Sequence, residues 1–329
     1  MNDGIAIHRH PHPFTTESGF TFPELEIAYK TWGALNATGD NAVLVCHALT
    51  GHAAADEWFP GLFGPDGILD PGRQFIICSN VLGSCYGTTG PGTFDPATGR
   101  PYGDSFPIVT IRDMVRAQQI LLGHLGVRGI ELGIGGSMGA MQVLEWSLMD
   151  DRLRSMMLIA VGKAHTAWAI GISEAQRQAI RMDPVTGLSV ARQMGMVFYR
   201  SMASFERRFG RDPQPGTESR FKVESYLTYQ GRKLVDRFHP TTYVRLTQAM
   251  DSHDAARERG SHAEVLGAVT IPALVLGISS DVLYWPSEQQ ELARLLGNGR
   301  YLELESDEGH DAFLIEFPKM VAAYRQWKP

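Results

Sequence analysis

The chain is poor in cysteine and has no long apolar run. Its 329 residues include only three cysteines, Cys46, Cys78 and Cys85, which are too few for a disulfide framework and match no zinc-binding spacing. No stretch reaches the roughly 18 apolar residues of a membrane-spanning helix. The amino-terminal residues also lack the apolar segment of a signal peptide. These absences favour a cytoplasmic protein that needs neither a membrane nor a metal ion.

Neither sign of charge dominates the composition. The chain has 30 Lys and Arg residues against 36 Asp and Glu residues, a formal net charge of −6. Surfaces that bind nucleic acids are normally basic, so the balance excludes nucleic acid as the expected partner and favours a small substrate. His8, His10 and His12 alternate near the start, and they predict a flexible polar arm rather than a metal site.

Short β-rich segments alternate with amphipathic ones, which is typical of a mostly parallel α/β sheet flanked by helices. Residues 24–33 predict a half-exposed edge strand. Buried strands are predicted over residues 41–49, 74–80, 129–136 and 155–162, and the strand pattern returns over residues 271–279 and 300–306. Residues 110–126 predict a crossover helix, capped by Thr110 with Asp113 at its third position.

The alternation is interrupted over about 163–270, where the patterns are helical, as in 172–180, 188–210 and 242–251. The sequence therefore predicts an α/β core of residues 1–162 and 271–329, with residues 163–270 inserted as a helical cap. Such insertions usually cover the strand ends at which these sheets bind ligands. The last helix is predicted from about Asp311 to Trp327.

Three glycines surround one serine at the junction of a predicted strand and a predicted helix. Residues 135–139, GGSMG, match G-x-S-x-G, the turn that exposes a nucleophilic serine, here Ser137, at the edge of a sheet. A Cβ two positions before or after the serine would clash with neighbouring elements. The Met138 amide at the helix start and the Leu49 amide after an earlier strand are the predicted oxyanion donors. The alternative is a glycine-rich turn with an ordinary serine.

His310 and Asp281 are the predicted base and acid. The order Ser, acid, His is the one expected for this architecture, and both residues follow predicted strands on the same edge of the sheet as Ser137. His310 would take the proton of Ser137, and Asp281 would orient the ring. Asp307 is a competing acid, although it lies close to His310 in the chain. The remaining histidines are interpreted as structural or surface residues, among them His47, His165 and His253, with a place in the oxyanion loop left open for His47.

Longer motifs resemble the homoserine O-acetyltransferases of methionine biosynthesis, which are α/β-hydrolase proteins. These motifs are HALTG (47–51), NVLGSCYGTTGP (80–91), GRPYGDSFPIVTIRDMVRAQ (99–118), GGSMGAMQVLEW (135–146), VESYLTYQG (223–231) and GHDAFLIE (309–316). The resemblance implies a ping-pong transfer of acetyl from acetyl-CoA to L-homoserine through acyl-Ser137. It implies no cofactor, because CoA is a substrate that leaves, and it implies a homodimer formed through the cap.

The resemblance also implies how the amino-acid substrate is held. Arg177 would bind the carboxylate, Asp311 the ammonium, and Tyr199 would lie near the pocket. An exposed arginine and a helix cap are the alternatives for Arg177 and Asp311.

Two departures leave the acyl donor open. Ala140 stands where the family usually has glycine, and only VTG (185–187) lies where members often have a longer segment. A succinyl donor, another hydroxy amino acid as acceptor, a small-ester hydrolase and a non-catalytic binding protein are the competing hypotheses.

Overall fold

Eight strands form the central sheet of the computed structural model, which describes residues 4–216 and 219–328. They are β1 Ala6–His10, β2 Leu25–Trp32, β3 Ala42–Cys46, β4 Phe75–Ser79, β5 Ile130–Gly136, β6 Met156–Ile159, β7 Ala273–Ile278 and β8 Gly299–Leu304. Their spatial order is β1-β2-β4-β3-β5-β6-β7-β8. Strand β2 runs antiparallel to both of its neighbours, whereas the pairs from β4 to β8 are parallel. The carboxyl ends of β3, β5, β7 and β8 therefore lie at one edge of the sheet.

The amino-terminal segment differs from the prediction. Residues 6–10 do not form a flexible arm, because they pair with β2 as an antiparallel edge strand, from Ala6 opposite Tyr29 to His10 opposite Leu25. Residues 24–33 consequently do not form the edge. Strand β1 has no buried apolar side chain, since Ile7 is exposed. It is held by backbone pairing, which leaves no alternation of apolar and polar residues in the sequence. His8 also stacks on His124, with ring centroids 4.0 Å apart.

Helices cover both faces of the sheet because alternate side chains of each buried strand point to opposite sides. Val43 and Val45 belong to the core on one face, while Leu44 belongs to the core on the other. The helices are α1 Ala55–Trp58, α2 Ile111–His124, α3 Met138–Met149, α4 Ala167–Met182, α5 Pro184–Tyr199, α6 Met202–Phe209, α7 Lys222–Val235, α8 Pro240–Asp251, α9 His262–Gly267, α10 Pro286–Leu295 and α11 Phe317–Trp327. The crossover helix α2 has the predicted capping box between Thr110 and Asp113.

Helices α4 to α9 lie between β6 and β7, as the helical patterns of this part of the sequence predicted. The segment 188–210 forms two helices rather than one, because Ser201 interrupts it and caps α6 by accepting a hydrogen bond from the Ser204 amide at 3.0 Å. The division into core and cap at residues 162 and 271 remains a prediction. Within the described residues, no helix is long and apolar enough to cross a membrane.

The final helix begins later than predicted. Residues Gly309–Leu314 form a 3-10 turn, and α11 starts at Phe317. Asp311 therefore lies inside the turn and does not cap α11, whose capping position is Glu316. Pro318 fits the first turn of α11 because its missing N–H has no partner to lose there. The separate turn carries His310 out of the helical register and leaves it at the sheet edge.

Candidate active site

Ser137 occupies a tight turn between β5 and α3. Its φ of 56° and ψ of −126° lie in a region that non-glycine residues rarely adopt. A Cβ on Gly135 would lie 2.4 Å from the carbonyl carbon of Gly139, and a Cβ on Gly139 would lie 2.1 Å from the carbonyl oxygen of Cys46. The two glycines are therefore required by close backbone contacts on both sides of Ser137, as the motif predicts.

His310 and Asp281 form a buried pair. The Nδ1 atom of His310 is 2.8 Å from Oδ2 of Asp281, and both residues are almost fully buried. The other oxygen, Oδ1, accepts hydrogen bonds from the amides of Leu283 at 2.8 Å and Tyr284 at 3.0 Å. Asp307 instead pairs with Arg207 at 3.0 Å. Of the two candidate acids, the structure therefore joins Asp281 to the histidine.

The turn that carries His310 packs against the end of β5. The rings of His310 and Phe313 have centroids 5.5 Å apart, and a Cβ on Gly136 would lie 2.6 Å from a ring carbon of Phe313. Gly136 directly precedes Ser137. Phe313 therefore packs against both His310 and Gly136, the residue that precedes Ser137.

The loop after β3 is tied to the start of α3. The Gln142 side-chain amide donates to the carbonyl oxygens of His47 at 3.2 Å and Met138 at 3.0 Å. Leu49, which follows in the same loop, is buried. The first amides of a helix have no partner within the helix. Gln142 therefore links the loop after β3 to the first residue of α3, and the role of the Met138 and Leu49 amides as oxyanion donors remains a prediction.

His47 fixes this loop and is structural. Burial lowers its pKa to about 4, so the ring is neutral and carries one proton. Its Nε2 accepts from the Val81 amide at 3.2 Å, which leaves the proton on Nδ1 to be donated to the Ala48 carbonyl at 2.8 Å.

Tyr199 and Asp311 lie on the cap side of His310. The Tyr199 ring is 5.9 Å from the His310 ring between centroids. Asp311 has Oδ2 3.3 Å from Nε of Arg200. Burial raises the pKa of the Asp311 carboxyl, and the charges of Arg200 and Arg192 oppose that shift. The Asp311 carboxyl thus follows His310 in the chain and lies close enough to two arginines to feel their charges.

Arg192 was missed by the sequence analysis. Its guanidinium carbon lies 5.6 Å from the centroid of the Tyr199 ring. Its positive charge acts to lower the pKa values of Tyr199, Tyr243 and Asp311. None of the ion pairs in residues 4–216 and 219–328 involves Arg192. Arg192 precedes Tyr199 by seven residues, two turns of α5, so the two share a helix face. That spacing was the available signal.

Arg177 is buried in α4 and already paired with two carboxylates. Its Nε is 2.9 Å from Glu174 Oε2, and its Nη2 is 2.8 Å from Asp251 Oδ2. Its Nη1 is buried and has no hydrogen-bond partner among the described residues. The interpretation of Arg177 as an exposed cap arginine is therefore wrong. Its role toward a substrate carboxylate remains a prediction.

A metal centre is not visible in the described part of the chain, where no group of three or more His, Cys, Asp or Glu side chains could hold a metal ion. The three cysteines are free; Cys46 and Cys78 are buried, and Cys85 is partly buried.

The chain is similar to known proteins over nearly its whole length. Residues 41–317 match the family model of the α/β hydrolase fold. A homoserine O-acetyltransferase from Chlorobium chlorochromatii (strain CaD3) is 52% identical over 323 residues, which cover 94% of this chain and 90% of that protein. The chain belongs to the homoserine O-acetyltransferase family. The resemblance in the sequence and the predicted fold class are both confirmed.

Solved structures of the same fold include more than one chemistry. A homoserine O-acetyltransferase from Bacillus anthracis has a TM-score of 0.88 at 22% identity, covering 98% of this chain and 97% of that one. Esterase E22 has a TM-score of 0.90, also at 22% identity, covering 98% of this chain and 99% of that one. At this identity the likeness concerns the fold alone.

Proposed function

We propose that the protein transfers an acetyl group from acetyl-CoA to the hydroxyl of L-homoserine, a step of methionine biosynthesis, in the cytoplasm. Ser137 attacks the thioester, and the amides of Met138 and Leu49 bind the resulting oxyanion. His310, oriented by Asp281, takes the Ser137 proton during this attack and gives it to the leaving sulfur, so that CoA departs as the thiol. In the second step His310 takes the proton of the homoserine hydroxyl as that oxygen attacks acyl-Ser137, and it returns this proton to the Ser137 oxygen when the O-acetylhomoserine leaves. The observation that carries this proposal is the 2.8 Å His310–Asp281 pair beside the Ser137 turn, in a chain 52% identical to a homoserine O-acetyltransferase.

The charged groups around His310 support an amino-acid acceptor. Asp311 offers a carboxylate for the ammonium, and the Tyr199 ring lies close to the same histidine. For the carboxylate we favour Arg192 over Arg177, because Arg177 is paired with two acidic side chains and Arg192 faces the site without an ion-pair partner. A guanidinium without a direct ion-pair partner keeps its N–H donors available for a bidentate bond to a carboxylate.

Release of the CoA thiol tests the reaction. The purified protein is mixed with L-homoserine and either acetyl-CoA or succinyl-CoA, and O-acylhomoserine is measured by mass spectrometry. We expect homoserine-dependent release with acetyl-CoA and a loss of at least about a thousandfold in kcat for Ser137→Ala. The control is Ser147→Ala, which changes a serine within α3, the helix that follows Ser137. CoA thiol release that does not depend on homoserine would identify a hydrolase. Product formed with succinyl-CoA alone would make succinyl-CoA the donor. Product formed with serine alone would make serine the acceptor.

The roles of Arg192 and Arg177 can be distinguished by the effect of substituting each of them on the KM for homoserine. Arg192→Gln is expected to raise this KM by roughly tenfold to a hundredfold, because a charge-assisted hydrogen-bonded pair is lost, with little change in the KM for acetyl-CoA. Arg181→Gln, which alters an exposed ion pair with Glu174, is the control. A larger effect on homoserine from Arg177→Gln than from Arg192→Gln would assign the carboxylate to Arg177.

A homodimer formed through the cap is the proposed assembly. Support comes from large apolar side chains exposed on its helices: Trp168, Met182, Val185, Val190, Val197, Met202 and Tyr229. Large apolar side chains that are exposed on neighbouring helices would be covered by such a contact.

A further inference from the structure

A buried polar chain leads from the triad into the cap helices. It starts at Tyr284, in the loop between β7 and α10, whose amide donates to Oδ1 of Asp281 at 3.0 Å. The hydroxyl of the same tyrosine is 3.0 Å from Nδ1 of His165. His165 lies between β6 and α4. Tyr284 therefore contacts the triad acid with its backbone and the first residues of the cap with its side chain.

The chain continues from His165 to Arg177. The Nε2 atom of His165 lies 3.8 Å from Oδ1 of Asp251, the last residue of α8. Neither atom has another hydrogen-bond partner among the described residues. The other oxygen of Asp251 pairs with Arg177 at 2.8 Å. An Asp251 oxygen thus lies near Nε2 of His165, at a distance longer than a hydrogen bond.

The direction of the hydrogen bonds follows from these charges. Burial lowers the pKa of His165 to about 3, so the imidazole is neutral and has a single N–H. The Asp251 carboxylate favours that proton on Nε2, since a lone pair facing a carboxylate would be repelled. Nδ1 is then an acceptor, and the Tyr284 hydroxyl is its donor.

We propose that His165 is a positioning residue of the catalytic triad, which acts through Tyr284 to hold the Asp281–His310 pair in line with Ser137. The Tyr284 ring lies against the His310 ring, with centroids 5.4 Å apart and an angle of 45°. Its hydroxyl is fully buried, so water does not replace a lost acceptor. Loss of the His165 acceptor would leave a buried hydroxyl unpaired and shift the ring that supports His310. The sequence alone had indicated a structural or surface role for His165.

The inference rests on the Ser137 nucleophile of the proposed function and not on the identity of the acceptor. It is therefore tested with two reactions, acetyl transfer to homoserine and hydrolysis of p-nitrophenyl acetate, a chromogenic acetyl ester. His165→Leu removes the acceptor. His165→Asn keeps one, because its amide oxygen takes the place of Nδ1. Tyr284→Phe keeps the ring and removes the hydroxyl.

For His165→Leu and Tyr284→Phe we expect kcat to fall about tenfold or more in both reactions, as for a small misplacement of catalytic groups. The KM for acetyl-CoA should stay within about twofold of the wild-type value, because the contact lies behind the triad. His165→Asn should retain most of kcat. The double variant His165→Leu/Tyr284→Phe should lose no more than the worse single variant, since both break the same contact.

Equal losses in His165→Asn and His165→Leu would overturn the inference, because shape and not an acceptor would then matter. Additive losses in the double variant, or full kcat in a folded His165→Leu, would also overturn it. If His165→Leu does not fold, the kcat values of Tyr284→Phe and His165→Asn are compared instead. Equal losses of kcat in these two variants would overturn the inference. A wild-type protein that hydrolyses the ester but does not acetylate homoserine would reject the proposed function alone, and the variants would still be compared on the ester.

Discussion

At the scale of single residues, the site depends on backbone contacts that leave no room for a methyl group. Gly139 is the sharpest case, because its Cβ would lie 2.1 Å from the carbonyl oxygen of Cys46. We expect Gly139→Ala to lower the free energy of unfolding by about 1–3 kcal/mol, the usual cost of overpacking. It should also reduce kcat, because relief of the clash moves the start of α3 and the Met138 amide. Urea unfolding and the thiol-release assay measure the two effects.

Gly171→Ala is the matched control for this prediction. Gly171 is also helical, in α4, and a Cβ there would meet no heavy atom within 4 Å. Alanine should stabilise that helix by about 0.5–1 kcal/mol through its helix propensity and leave kcat unchanged. If Gly139→Ala were as stable and active as Gly171→Ala, the close contact with Cys46 would not constrain the turn.

Some residues of the candidate site could be predicted from the sequence, and others could not. Ser137 was predictable because its requirements are local, three glycines within five positions. The order of Asp281 and His310 was predictable from strand ends, but the choice against Asp307 needed the 2.8 Å contact and the Arg207 pair. Arg192, Asp251 and Tyr284 carry no motif. Their partners lie on other elements, and only the folded chain brings them together.

At the scale of elements, the buried strands and α2 were predictable because burial imposes apolar runs and helix ends impose caps. Strand β1 was not, since its pairing with β2 uses backbone groups and its side chains are largely exposed. The last helix was predicted too early, because a six-residue 3-10 turn at Gly309–Leu314 has nearly the same side-chain spacing as a first helical turn.

Helix α10 carries a carboxyl whose protonation affects stability. Burial, with the charges of Asp281 and Glu291, raises the pKa of Glu288 from 4.5 to about 7. Between these values the folded state holds a proton that the unfolded state releases, so the stabilisation is complete below about pH 4.5 and is lost as the pH rises through 7. Glu288→Gln should therefore raise the free energy of unfolding at pH 8, by about 1–2 kcal/mol after solvent screening.

Most of this gain should disappear at pH 5, and thermal or urea unfolding at the two pH values measures it. Glu291→Gln is the control on the same helix, because its carboxyl has a lowered pKa owing to Lys163, so its substitution should destabilise the protein at pH 8. A gain from Glu288→Gln that is equal at pH 5 and pH 8 would show that packing, and not ionisation, is responsible.

At the scale of the whole molecule, the cap helices contact the core next to the candidate active site. Arg200 on the cap contacts Asp311 beside the triad histidine, and a Cβ on Gly309 would lie 2.6 Å from the Arg200 carbonyl carbon. The break between α5 and α6 therefore rests directly on the His310 turn. A change in how the cap helices pack, including their packing in an assembly, would be transmitted to catalysis.

The proposed homodimer gives the last prediction. Val190 and Val197 lie seven residues apart on α5, so they share one face, and both are exposed. Replacing both with Glu would place two like charges in an apolar interface, which costs far more than charges at a polar rim. We expect the double variant to be monomeric by light scattering where the wild-type chain is dimeric. Ile108→Glu, an exposed apolar position on the core, should remain dimeric. A dimeric double variant would exclude this face of α5 as the interface, and a monomeric wild-type chain would reject the homodimer itself.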